Sequence, residues 1–447
     1  MVNNNDVIIM MMTNKTFKSE YAYFSNNNIQ EGYTVKNIKN ICFLLAFAVL
    51  LSIATQQVYA KDYVIGELKV PVTKPDPAST YVGSEKCKTC HLEIYNGWKT
   101  AGHPYKLLTT DEAKAFGIPF PEGYTENDIY RVIGGWGWKS RYIDNNGYII
   151  TKTGANKSIN GSNQYNLATK KWGDYNPGKV LKYDCGNCHT TGYSLTGSQD
   201  NKPGIVGTWE EKGVGCEACH GAGSVHVSKG GGKGVAIIMN ASSALCGNCH
   251  TRGKDSIKIM SKDGFVEHHE QYPEFLNSPH KDLSCVSCHD PHKGVHVGAT
   301  NPTEGAGIKT QCSTCHAQAS NDFNGSTMQK ADVKCIDCHM PKIGKSAVGD
   351  AAKFQGDVRE HLFKINSDTS AKMFSDDGKF AMGYLTLDWT CLRCHNDKDK
   401  AWAGQYTKGI HKFVKAETTA TPAPKSPAFE ILFAVAALLV AVLVRRR

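Results

Sequence analysis

Cys216-Glu217-Ala218-Cys219-His220, running on into Gly221-Ala222-Gly223-Ser224-Val225-His226, is the stretch on which the reading of this chain turns. Its first five residues are one of eight copies of a single unit: Cys, two variable residues, Cys, His. The paired thiols are Cys87 and Cys90, Cys185 and Cys188, Cys216 and Cys219, Cys246 and Cys249, Cys285 and Cys288, Cys312 and Cys315, Cys335 and Cys338, and Cys391 and Cys394. The closing imidazoles are His91, His189, His220, His250, His289, His316, His339 and His395. Two thiols at this spacing add across the two vinyl groups of one porphyrin, and the adjoining imidazole ligates its iron; that is c-type haem attachment. A zinc ribbon pairs one Cys-x-x-Cys with another and needs no adjoining His. A disulfide framework has no use for one either. Of 17 cysteines, 16 lie in the eight units, and every unit ends in His. The expectation is eight covalently attached haem c groups.

Covalent haem attachment and the ends of the chain both point outside the cytoplasm. Ile41 to Ala54 is an almost unbroken apolar run preceded by Lys36 and Lys39, and Val58-Tyr59-Ala60 is a small-residue cleavage site. Residues 1–60 therefore read as a secretory signal peptide, with an uncleaved anchor as the competing reading. Cys42, the seventeenth cysteine, falls inside it. At the other end a Thr/Pro/Ala linker (417–427) leads to an apolar run, Ile431 to Val444, closed by Arg445-Arg446-Arg447. Residues 428–447 read as a hydrophobic anchor or sorting signal, with the positive end on the cytoplasmic side. The tail resembles the C-terminal sorting signals of archaeal surface proteins, with Pro427-Ala428-Phe429 where those carry Pro-Gly-Phe. Four sequons (Asn156, Asn160, Asn240 and Asn324) agree with an external location.

Motif spacing divides the region between. Motifs start at residues 87, 185, 216, 246, 285, 312, 335 and 391, so six are clustered and one stands off on each side. Two multihaem regions are expected, 61–260 with motifs 1–4 and 261–416 with motifs 5–8. At roughly 46 residues per haem the chain is too short for a separate side-chain core around each group. The expected fold is therefore mostly α and irregular, with closely packed haems as the core, short helices, long loops and a small β-hairpin region. The hairpin is placed at Tyr142–Ile150, where Asn145-Asn146-Gly147 separates β-prone flanks. Gly134-Gly135-Trp136-Gly137-Trp138 reads equally as a haem-packing aromatic cluster or as ordinary core.

Ligand counting adds the axial partners. Nine histidines lie outside the motifs: His103, His226, His268, His269, His280, His292, His296, His361 and His411. They nearly match eight open axial positions, so bis-His iron is expected throughout, with His269 chosen over His268. Iron with both faces filled has no vacant site for substrate. That stoichiometry argues for a conduit.

A family resemblance appears at these residues. Tyr81-Val82-Gly83-Ser84-Glu85-Lys86 before the first motif, followed by Glu93, Trp98 and Ala101-Gly102-His103, resembles the opening of the cytochrome c-554 family. So does Gly213-Val214-Gly215 with the third motif and its Gly-Ala-Gly-Ser-Val-His continuation. That family is similar in haem packing to pentahaem nitrite reductases and octahaem hydroxylamine oxidoreductases. The resemblance implies that His103 and His226 are distal ligands to haems other than those of their own neighbouring motifs. Ser278-Pro279-His280 and Asp290-Pro291-His292, flanking the fifth motif, resemble decahaem respiratory cytochromes, which implies distal ligation there too. Met340-Pro341-Lys342 after the seventh motif is similar to the nitrite reductase group.

Two function classes follow. The first is an extracytoplasmic carrier between a membrane respiratory donor and an external or surface acceptor, partnered by redox proteins or membrane electron carriers, anchored at its C-terminus, and compatible with a homo-oligomer or filament. The second is an octahaem oxidoreductase of nitrogen or sulfur compounds. One five-coordinate haem, which the cytochrome c-554 resemblance implies, fits nine histidines if two are not ligands. The chain carries a net charge of +9, and residues 61–427 carry 44 Lys+Arg against 38 Asp+Glu. Two propionates per haem take eight-haem protein to about −2 when ferric and about −10 when ferrous, so basicity is no sign of nucleic-acid binding.

Overall fold

The computed structural model describes residues 76–253, 257–298 and 303–411. The expected signal peptide with Cys42, the linker and the C-terminal apolar run lie outside these residues. Among the described residues no helix is long and apolar enough to cross a membrane. None of their helices exceeds seven residues, as the motif density requires.

The long interval between the first two motifs folds into a seven-stranded antiparallel sheet. Its main path runs Leu107–Leu108, Ile129–Gly134, Lys139–Asp144, Tyr148–Ile149, Leu181–Lys182, with Gln164–Asn166 and Lys171–Gly173 added on the side. The Asn-Asn-Gly turn joins Lys139–Asp144 to Tyr148–Ile149 as expected, with Gly147 at φ +89°. A Cβ there would meet Ile205 at 2.7 Å, so the turn accepts only glycine. Side chains alternate between two faces. Leu108, Val132 and Tyr142 enter one apolar cluster with Ile118 and Leu167, while Leu107, Ile133 and Ile143 enter another with Tyr183 and Ile205. The sheet is larger than the small hairpin region expected, because burial on both faces lets very short strands persist.

A second, five-stranded sheet runs Val358–Arg359, Lys342–Lys345, Phe265–Glu267, Ile259–Lys262, Phe380–Ala381. Its core holds Ile259, Phe265, Ile343, Leu362 and Trp389. The pairing of Phe265–Glu267 with Lys342–Lys345 is parallel. This sheet delivers ligands at its strand ends: His268 and His269 follow Phe265–Glu267, and His361 lies two residues after Val358–Arg359.

Candidate haem-binding site

Each motif sits on a single short helical turn. The His N–H bonds back to the carbonyl of the first Cys, at 3.0 Å for His91, 2.9 Å for His289 and 3.0 Å for His395. That bond sets the first Cys and the His one turn apart on the same face. None of the 16 motif thiols is in a disulfide. Among the described residues no three His, Cys, Asp or Glu converge as a metal site of their own. The sixteen thiols and all 17 histidines instead line one continuous cavity of about 4340 Å³. Shared among eight motifs, it gives each a volume within the ~300–1,000 Å³ of an ordinary ligand pocket.

Ring spacing tests whether haem fits. Two imidazoles on opposite faces of one iron, each with a metal–nitrogen bond of about 2.0–2.1 Å, put their ring centres roughly 6.3 Å apart. His91 and His226 stand 6.4 Å apart, His220 and His292 6.0 Å, and His289 and His361 6.1 Å. His280 and His316 are 5.9 Å apart, and His339 and His411 5.8 Å. His250 faces His269 at 5.8 Å and His103 at 6.5 Å. The residues fit the group: six motif histidines each meet a second imidazole at the spacing of a bridging iron.

Two motif histidines do not. Among the described residues no imidazole stands at that spacing from His189 or His395; the ring next to His395 is Trp402, at 4.9 Å. His296 lies beside Trp138, 6.4 Å away, and near Lys342 and Arg359. His268 turns from its neighbour's site toward Arg252, with Nη1 3.2 Å from its Nε2. Trp136 stacks on Tyr105 at 4.3 Å, so this part of the Gly/Trp stretch is both core and cavity wall.

The surroundings of His189 are unusual. Burial, then Lys106, hold its ring down to about 3. Burial, followed by Lys139, Arg252 and Arg141, holds His268 to about 2. Burial alone pushes the Lys106 amine down, and Arg141 falls to about 10 for the same leading reason. Lys139 and Arg141 share one face of the strand Lys139–Asp144, while Lys106 comes from the loop before Leu107–Leu108. Crowded like charges of this kind are relieved by an anion.

Sequence reasoning missed the carboxylates that hold the ligand loops. Glu217, a variable position of the third motif, is 2% exposed. It accepts N–H bonds from Val82 (3.0 Å), Gly83 (2.8 Å) and Gly223 (2.7 Å), tying the approach to motif 1 to the loop that carries His226. Glu270, pushed up to about 7 by burial, accepts from the Arg252, Gly253 and Met260 backbone. Glu274 accepts the His361 N–H at 2.7 Å, and the adjacent Glu360 is raised well above the carboxylate range by burial and then by Glu274. A charged residue between two apolar ones is the only local signal such positions leave.

The attachment turns also touch one another. Cys87 lies beside Cys216, Cys188 beside Cys249, Cys246 beside Cys285, and Cys312 beside Cys335. Cys219 lies near Cys246, Cys288 near Cys315, and Cys338 near Cys391. Motifs 1, 3, 4, 5, 6, 7 and 8 thus follow one another in space, and motif 2 joins the series at motif 4.

This ligand array on a loop-rich scaffold defines a multihaem c-type cytochrome, a class of protein that transfers electrons. The family model described as Cytochrome c554 and c-prime matches residues 151–221, which hold motifs 2 and 3. The chain is 24% identical to the dissimilatory sulfite reductase MccA of Wolinella succinogenes over 76% of its own length and 64% of that protein's. It is 30% identical to the multiheme cytochrome MtrA of Shewanella baltica over 29% of its own length and 36% of that protein's. The chain thus spans less than two thirds of either relative. The solved octaheme sulfite reductase MccA of W. succinogenes, form II, superposes with a TM-score of 0.52 at 18% identity, covering 72% of this chain and 66% of that one, a likeness of fold.

Proposed function

We propose that the chain is an extracytoplasmic octahaem cytochrome that conducts electrons between a membrane respiratory donor and an external or surface acceptor. The observation that carries this is the set of six imidazole pairs at iron-bridging spacing, on attachment turns that adjoin in series. When bound, haem supplies one-electron exchange at an iron whose potential the axial ligands set. The protein's own part is to offer both axial ligands at six motifs and to enclose the cavity. Export agrees with covalent haem attachment, and the C-terminal segment would tether the protein to the membrane. Peptide mass spectrometry of the purified protein should find one haem on each of the eight motifs. A secreted chain with bare thiols at most motifs would sink the reading.

One observation favours a second reading, an oxidoreductase of small nitrogen or sulfur anions. His189 is fully enclosed, has no imidazole opposite, and is ringed by Lys106, Arg141, Arg252 and His268. These cations would hold an anion, and Arg252 would fix the orientation of His268 through their 3.2 Å contact. MccA, to which the chain is similar, is a dissimilatory sulfite reductase, and sulfite belongs to the same substrate class. Electron paramagnetic resonance of the ferric protein separates the two readings. A high-spin component perturbed by sulfite or nitrite, with dye-coupled turnover lost in Arg252→Ala, supports the enzyme. Low-spin signals unmoved by either anion support the carrier.

A further inference from the structure

We infer that Glu274 is a positioning residue that fixes His361 through its backbone N–H, sets a buried carboxylate beside its outer nitrogen, and gives the fifth motif the lowest reduction potential in the series. The inference rests on the haem reading above and goes beyond it. Four other candidate axial imidazoles find neutral acceptors for Nδ1. His226 reaches the Val235 carbonyl at 2.8 Å, His220 the Ile238 carbonyl at 2.7 Å, and His339 the Phe363 carbonyl at 2.8 Å. His250 reaches the Gln271 amide oxygen at 3.0 Å.

His361 differs. Its Nδ1, like those of His189 and His280, is buried without a hydrogen-bond partner, but a buried carboxylate stands beside it, Glu274 Oε2 at 3.7 Å. That carboxylate is already fixed, because it takes the His361 backbone N–H at 2.7 Å. Its side chain is 1% exposed on the helix Gln271–Leu276; among the described residues no Lys or Arg pairs with it, and its neighbour Glu360 is pushed toward the neutral form by burial and then by Glu274. A carboxylate on the outer N–H makes a ligating imidazole more basic, and the basic ligand favours the oxidised metal. Water and salt do little to weaken so buried a charge.

The chain contains its own control. His292 also faces a carboxylate, Asp290 Oδ1 at 3.8 Å, but Asp290 is 24% exposed and shared with Lys293 at 3.5 Å. The same contact with a solvated, already paired carboxylate should tune its iron far less.

The test is a potentiometric titration of the full haem-loaded protein, followed by electron paramagnetic resonance to separate the centres. Glu274→Gln should raise the midpoint of one centre, the one reduced last in the native protein, and leave the others in place. Glu274→Asp should restore part of the shift, and Asp290→Asn should move its own centre by much less. An unchanged last midpoint in Glu274→Gln with all haems attached, or an equal shift in Asp290→Asn, would overturn the inference. The unaltered protein gives a second readout that needs no variant. The near-infrared charge-transfer band of the last-reduced centre should be displaced toward that of a deprotonated imidazole ligand; an ordinary bis-imidazole band there also overturns it. Absence of haem from the Cys285–His289 peptide would remove the haem reading at that motif, an outcome distinct from either.

Discussion

At the scale of single residues, the chemistry that is covalent or ligating was legible and the chemistry that supports it was not. Thioether attachment requires its residues in a fixed local order, so sequence alone proposes sixteen attachment cysteines and eight proximal histidines. Histidine counting supplied the pool of partners but not the pairing, because His226 meets His91 from a distant part of the chain. It also could not show that His189 faces none of them, since nine candidates numerically cover eight positions. Replacing His226 with Ala should turn one low-spin ferric centre high-spin while its haem stays attached, as magnetic resonance and peptide mass would show; an unchanged spectrum would remove His226 from the ligand set. Glu217 was invisible because it occupies a position the motif leaves free. Glu217→Ala strips three backbone N–H groups of their acceptor, at about 1–3 kcal/mol for each group left buried and unpaired. A large fall in the thermal midpoint of the holoprotein is expected, and a midpoint within a degree of native would contradict the tying role.

Among elements, the turn at Asn145-Asn146-Gly147 announced its hairpin because only glycine fits there. The second sheet announced nothing. Its strands run two to four residues, too short for alternation to register, and its parallel pair joins segments far apart in sequence. The helix Thr110–Ala115 shows the local rules working. Thr109 caps it by accepting the Glu112 N–H at 3.2 Å, and the Glu112 side chain returns the bond to the Thr109 N–H at 2.9 Å. Thr109→Ala should cost about 1 kcal/mol in unfolding free energy. Burial alone would raise Glu112, but Lys212 at 2.6 Å and the Thr109 bonds outweigh it and hold the carboxyl below its ordinary value. A depressed folded pKa contributes stability above the unfolded value, near 4.3, and that part is lost as pH falls through the folded pKa. Glu112→Gln should therefore narrow its stability gap to the native protein on acidification below about pH 4; a gap independent of pH would refute the ion pair's contribution.

For the molecule as a whole, one cavity runs past all of the motifs, the place where haem was expected to stand in for a side-chain core. The interval from Leu107 to Lys182 carries no histidine and instead builds an ordinary two-faced apolar sheet. Charge belongs to this scale too. With the eight haems proposed, reduction would change the net charge of residues 61–427 from about −2 to about −10, so the ferrous protein should elute markedly later from an anion exchanger than the ferric form. Coincident elution would mean that proton uptake compensates each electron.

The meeting of Cys87 with Cys216 bears on how the protein is made. On the export proposed above, the N-terminus would emerge first, so the first pair of thiols would wait outside while the whole seven-stranded sheet follows it out. The maturation machinery must reach those thiols before the third motif closes over them. Biogenesis therefore has a deadline written into its topology, and slowing export should leave the earliest cysteines as the ones already furnished.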